Sequence, residues 1–120
     1  MDPKRKADSR AARYAARAWA AADDGDFNIA CKEIQRAVAE RENNPVTWHD
    51  YGLIHAIAGR MREAEQAFRN AILVAPMYPE AYVQLAALLA GRGRTIQVAR
   101  YQRRAVELRP ANSALSRAVS

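Results

Sequence analysis

The stretch PVTWHDYGLIHAIAGRMREAEQAFRNAILVAPMY, residues 45–78, decides the fold. Its apolar residues are spaced three and four apart in two successive runs, which is the pattern of two amphipathic α-helices. Asn44 can cap the first helix, and Pro45 then occupies the first helical position. Gly59 separates the two runs, where a residue with positive φ can end a helix. The stretch therefore predicts a helix–turn–helix unit without a strand.

The same unit occurs three times at a spacing of 34 residues. The aligned columns hold an aromatic residue, a small residue, a glycine, two mostly alanine positions and a closing proline. In that order they are Tyr14, Trp48 and Tyr82; Ala18, Gly52 and Ala86; Gly25, Gly59 and Gly93; Ala30, Ala64 and Val98; Ala37, Ala71 and Ala105; and Pro76 with Pro110. Self-similarity at this period indicates stacked units that share a continuous core. The second helices are expected over about residues 27–40, 61–74 and 95–108.

A 34-residue unit with these columns resembles the tetratricopeptide repeat (TPR). The resemblance covers residues 11–112 as three repeats: 11–44, 45–78 and 79–112. The first repeat departs from the family pattern at Arg17, a normally apolar position, and it has no closing proline. The resemblance implies an all-α, right-handed α-solenoid of three helix–turn–helix repeats. We expect residues 1–10 to be a basic N-terminal extension, frayed over residues 1–8, and residues 113–120 to form a C-terminal capping helix.

In this family the first helix of each repeat lines a concave groove, which implies a protein–protein interaction scaffold or adaptor. The apolar groove residues that the resemblance assigns to partner binding are Trp19, Val46, His49, Leu53, Ile57, Val83 and Ala87. Another protein would supply a peptide or an amphipathic helix to this groove. We expect Leu53 at its centre, away from the helix–helix interfaces. The alternatives are burial against a terminal helix of the same chain and self-assembly into a homo-oligomer.

One ligand class of the family does not fit this chain. Members that grip the C-terminal carboxylate of a chaperone use Lys, Asn and Arg at fixed columns. The matching positions are Ala15, Trp19, Asp50, Glu80 and Gln84, none of which is a Lys, Asn or Arg. A carboxylate clamp is therefore not expected.

The net charge of +6 is unevenly distributed. Residues 1–17 carry +4, residues 18–90 carry −4 and residues 91–109 carry +5. A basic module for an anionic partner, such as a nucleic acid or a membrane surface, would use Arg92, Arg94, Arg100, Arg103 and Arg104. Because the charge lies at the ends of the chain, and no aromatic stacking platform accompanies it, we favour solvated helix faces and disfavour nucleic acid.

Residues that could support catalysis or metal binding are sparse. His49 and His55 are six positions apart and lie on different faces of one helix, and the spacing of Cys31 to either fits no zinc pattern. The acidic run at residues 23–26 lacks the downstream ligands of a calcium loop. We expect no enzyme activity, metal or cofactor, and His55 in the core. A single cysteine, and no apolar run near the roughly 20 residues of a transmembrane segment, predict a cytoplasmic protein.

Overall fold

The computed structural model describes residues 2–109, and this part of the chain forms six α-helices. They are α1 (Pro3–Asp23), α2 (Phe27–Glu40), α3 (Pro45–Ile57), α4 (Met61–Val74), α5 (Pro79–Ala90) and α6 (Thr95–Glu107). Each odd-numbered helix packs on the next helix, and α2 on α3 and α4 on α5 join the three pairs in series. The all-α repeat fold is confirmed, and the second helices agree with their expected ranges within one residue. The predicted capping helix at 113–120 lies outside the described residues.

The turn inside each helix pair depends on one glycine. Gly25, Gly59 and Gly93 have φ angles of 80°, 81° and 72°, and no other residue type in the described range has a positive φ. A side chain with a Cβ is strained in this left-handed region, whereas glycine adopts it without penalty. The glycine column predicted from the sequence therefore ends the first helix of every pair.

Gly52 lets α3 and α4 approach closely. The ring of Phe68 on α4 occupies the space that a Cβ on Gly52 would need, and that ring is almost fully buried. Ala18 and Ala86, in the same column of the other repeats, are also buried. The small column and the large aromatic residue are thus complementary parts of one helix–helix contact.

The apolar core consists of two clusters, each shared by neighbouring repeats. The first cluster contains Ala18, Ala30, Cys31, Ile34, Ala37 and Ile54. The second cluster contains Ala64, Phe68, Leu85 and Leu89. Because Ile54 of α3 completes the first cluster, and Leu85 and Leu89 of α5 complete the second, no repeat buries its apolar face alone.

The aromatic column also fixes the junctions between repeats. The indole Nε1 of Trp48 donates to the carbonyl of Glu42 at 2.6 Å. The hydroxyl of Tyr82 donates to the carbonyl of Pro76 at 2.7 Å. Both donors and both acceptors are 34 positions apart, so the same bond ties the loop before each pair to the first helix of that pair.

The first helix begins earlier than expected. It starts at Pro3, and the Asp2 side chain caps it by accepting a hydrogen bond from the backbone. Two ion pairs of 2.9 Å each tie this part of α1 to the end of α2: Asp8 with Arg41, and Arg10 with Glu40. The predicted fraying is therefore wrong for the residues that α1 contains, and the basic extension continues the helix.

His55 is a core residue, as predicted, with 3% of its surface exposed. Its ring stacks on Tyr51 at a centroid distance of 4.0 Å. Its Nδ1 lies 2.9 Å from the Tyr51 carbonyl. Since a carbonyl only accepts, Nδ1 carries the proton in the neutral ring. Burial lowers the pKa of His55 below its ordinary value, and this carbonyl contact offsets part of the shift.

We expect the fold to lose stability as the pH falls below the ordinary histidine pKa of 6.5. The unfolded chain then binds protons that the folded chain excludes, so the free energy of unfolding decreases as the pH falls. Urea unfolding at about pH 7.5 and about pH 5.5 measures this difference. His55→Phe keeps a ring on Tyr51 and should reduce the difference. An equal pH dependence in this variant would contradict the assignment.

Gly52→Ala should destabilise the fold by about 1–3 kcal/mol, because the new methyl group overlaps the Phe68 ring. Gly91→Ala is the matched control, since Gly91 has a helical φ of −64° and a Cβ there would meet nothing closer than 3.5 Å. Urea unfolding of both variants measures the effect. Adding Phe68→Leu should recover part of the loss caused by Gly52→Ala. Equal stabilities of the two alanine variants would exclude the close contact.

Candidate functional site

The helices α1, α3 and α5 lie side by side and form one face of the array. The central helix α3 contacts both α1 and α5, whereas α2, α4 and α6 make no contacts of comparable extent with one another in the described part of the chain. Since the first helices of the pairs are closer together than the second helices, the face that they form is concave. This face is called the groove below.

Four of the predicted partner-binding residues are exposed in the groove. The exposed fractions are 52% for Val46, 53% for Ile57 and 38% for Val83. Ala87, one turn after Val83, is also exposed. These residues place accessible apolar surface on both α3 and α5.

The other three, Trp19, His49 and Leu53, are half-buried. Trp19 packs against the first core cluster, and Leu53 packs against the second. Because that cluster includes two leucines of α5, Leu53 contributes to the interface between the second and third repeats. The expectation that Leu53 lies away from the helix–helix interfaces is therefore wrong. Its position faces the neighbouring repeat as well as the groove.

A polar cluster, comprising Trp19, His49, Asp50, Tyr78 and Glu80, lies among these apolar residues. The indole of Trp19 on α1 donates a hydrogen bond to the carboxylate of Asp50 on α3. The His49 ring lies 5.9 Å from the Tyr78 ring, centroid to centroid. The charges of Glu80 and Asp50 both act on the Tyr78 hydroxyl and, with burial as the main cause, raise its pKa. The cluster thus spans all three repeats.

Burial controls the protonation of this cluster. It raises the pKa of Asp50, and the hydrogen bond from Trp19 opposes part of that shift. It lowers the pKa of His49, against the charge of Glu80. The Nε2 atom of His49 is buried and has no hydrogen-bond partner among the described residues. Burial thus disfavours the charged form of both side chains, and the His49 imidazole beside Asp50 is uncharged at neutral pH.

Sequence reasoning identified two members of this cluster, Asp50 and Glu80, only as residues that fail to match a carboxylate clamp. Their role could have been recognised from the charge that these two residues introduce at the clamp columns. Columns that hold cations or amides in the clamp hold carboxylates in this chain, which inverts the charge that the groove presents to a ligand.

The predicted patch for an anionic partner is partly compensated by two nearby carboxylates, Glu65 and Glu107. Three of its five arginines form ion pairs: Arg92 and Arg94 with Glu65 at 2.7 and 3.9 Å, and Arg104 with Glu107 at 3.4 Å. Arg100 and Arg103 are exposed on α6 and have no ion pair within residues 2–109. Exposed pairs of this kind contribute little stability but reduce the local positive potential. Binding of an anionic partner here stays a prediction.

Other kinds of site find no support in the part of the chain that the structure describes. It contains no group of three His, Cys, Asp or Glu residues that could hold a metal ion. None of its helices is long and apolar enough to cross a membrane. Cys31 is buried, and burial raises the pKa of its thiol, which disfavours the reactive thiolate.

Two substitutions distinguish the core part of the groove from its accessible part. Leu53→Glu should destabilise the fold by about 2 kcal/mol or more, because a carboxylate would enter the second core cluster. Ile57→Glu, one turn further along α3, should change stability by no more than about 0.5 kcal/mol. Thermal unfolding followed by circular dichroism compares the two. Equal melting temperatures would show that Leu53 does not pack between the repeats.

Comparison with known proteins identifies the family of the chain. Residues 11–119 match the family model of the middle TPR-like domain of cilia and flagella-associated protein 70. The probable biofilm formation methyltransferase WspC of Pseudomonas aeruginosa is 36% identical over 84 residues, which are 70% of this chain and 20% of that protein. The chain thus spans about a fifth of the length of the curated relatives it matches.

Solved TPR structures share the fold. The second TPR domain of Spaghetti (RPAP3), bound to the HSP90 peptide SRMEEVD, has a TM-score of 0.77 at 16% identity, over 90% of this chain and 99% of that chain. MamA has a TM-score of 0.79 at 21% identity, over 87% of this chain and 61% of that chain. At these identities the likeness concerns the fold alone. With three helix pairs at a 34-residue period and the family match over residues 11–119, the chain belongs to the TPR family, in the group described by the middle TPR-like domain of cilia and flagella-associated protein 70.

Proposed function

We propose that this chain is a non-enzymatic scaffold that binds a segment of another protein in the groove of α1, α3 and α5. The observation that carries the proposal is the accessible apolar surface of Val46, Ile57 and Val83 beside the half-buried Leu53. Covering apolar surface contributes roughly 25 cal/mol per Å². A peptide or an amphipathic helix laid along the groove would cover these side chains together.

Related folds support peptide binding as the general role. Both TPR domains of Spaghetti (RPAP3) are bound to an HSP90 peptide, SRMEEVD. That ligand is not proposed for this chain, because three of the last four residues of the peptide are acidic. In this groove it would meet the carboxylates of Asp50 and Glu80 rather than cations.

The match to WspC is the reason to separate binding from catalysis. The matched 84 residues are a fifth of that probable methyltransferase, so the match concerns only a small part of it. We therefore propose that this chain recognises a partner, as a repeat segment can, and that it does not catalyse methyl transfer. A cytoplasmic setting is consistent with a single, buried cysteine.

Site-specific photo-crosslinking in the native host tests the proposal. A benzoylphenylalanine at position 57, in the groove, should form a discrete adduct with one partner. The same residue at position 73, where Leu73 is 75% exposed on α4, should not.

Charged substitutions then decide whether the adduct reflects binding. The pair Val46→Glu and Ile57→Glu should abolish co-purification of the partner, because carboxylates would enter an apolar contact. Leu73→Glu is the matched control and should leave co-purification unchanged. Retention of the partner by the groove variant would move the binding surface to another face of the array.

A further inference from the structure

We propose that the groove selects a partner segment that carries a basic side chain, preferably arginine, next to its apolar residues, and that Asp50 binds this base. The inference rests on the proposed function and adds the chemistry of the ligand to it.

Asp50 is positioned by a neutral partner. The Trp19 indole supplies one hydrogen bond across the α1–α3 contact, while a carboxylate can accept about four. The residue is half-buried, and no arginine or lysine within residues 2–109 forms an ion pair with it. A carboxylate partly removed from water without a cation is costly, and a basic group that reaches it removes much of that cost. Burial raises the pKa of Asp50, which reflects the cost of removing its carboxylate from water.

The surroundings of Asp50 strengthen the negative potential. The charges of Asp50 and Glu80 both reach the Tyr78 hydroxyl, so the two carboxylates act on the same part of the groove. Glu80 is partly compensated by Arg109 at 3.7 Å. His49 does not compensate either charge at neutral pH, because burial lowers its pKa.

The positive charge of the chain lies at its two ends and not in its middle. Residues 18–90, which contain most of the groove together with the outer helices α2 and α4, carry −4, although the net charge is +6. The basic ends repel a cationic segment from themselves and the groove attracts it, so association is directed to the middle of the array.

The neighbouring side chains define the rest of the ligand. Val46 and Ile57 flank Asp50 along α3 and remain exposed. A bound segment would therefore place apolar residues on these side chains and a base between them. The rings of Trp19 and Tyr78 border the same region, and a planar guanidinium stacks on aromatic rings better than an ammonium does.

Selection from a phage-displayed library of random peptides of about 14 residues, on the full 120-residue chain, tests the inference. We expect enriched peptides to combine Leu, Ile or Phe with Arg or Lys. Fluorescence anisotropy with an enriched peptide should show affinity about tenfold weaker for Asp50→Asn, which removes the charge but keeps an acceptor for Trp19. Asp26→Asn makes the same change at an exposed residue that forms no side-chain cap bond. It should bind like the unmodified chain.

The other outcomes separate the two proposals. Enrichment of apolar or acidic peptides without a base, or equal affinity of Asp50→Asn and the unmodified chain, would overturn the inference and leave groove binding intact. No enrichment, or enriched peptides that still bind after Val46→Glu and Ile57→Glu, would overturn the proposed function as well. The chain could instead dimerise through the groove and remain a dimer in the presence of the peptides. That result would overturn both proposals and identify a second copy of the chain as the occupant of the groove.

Discussion

The contact between Gly52 and Phe68 sets the distance between α3 and α4. The other two helix pairs pack against this central pair. From α3, Ile54 reaches into the cluster under the first repeat. From α4, Phe68 fills the cluster shared with the third repeat. Separation of the two helices would displace Ile54 and Phe68, each of which completes a cluster that the central pair shares with a neighbouring repeat. The groove depends on the same contact, since α3 forms its floor.

The bond from Trp48 to Glu42 and that from Tyr82 to Pro76 give the array its regularity. Each bond holds the loop that enters a pair, and the two are related by the 34-residue period. A constant connection between successive pairs produces a constant rotation, and a constant rotation curves the array around its first helices. Concavity is therefore a consequence of the junctions, and side chains on the inner face must serve two purposes. Leu53 illustrates this, because it packs between repeats and also borders the groove.

The repeat, the helices and their turns could be predicted from the sequence because they depend on local properties. The glycine at positions 25, 59 and 93 fixes the turn by its own φ, and the spacing of apolar residues fixes each helix face. The start of α1 was missed although Asp2 and Pro3 repeat the N-cap and proline of Asn44 and Pro45. Its ion pairs with the end of α2 join residues too distant in the sequence to be predicted. The burial of Leu53 and the bond between Trp19 and Asp50 were also missed. A helical pattern gives the face of a residue but not its distance from the next repeat.

We propose that the groove is the binding surface of the molecule and that the outer helices support it. Hydrogen–deuterium exchange of the full chain, with and without the partner captured through position 57, tests this claim most directly. Binding at the groove predicts slower exchange in α3 and α5 and in the part of α1 around Trp19, with α2, α4 and α6 unchanged, because the bound segment stabilises the first helices against the local opening that exposes their amides. Protection confined to α4 and α6, around Arg100 and Arg103, would contradict it and identify the basic outer face as the binding surface.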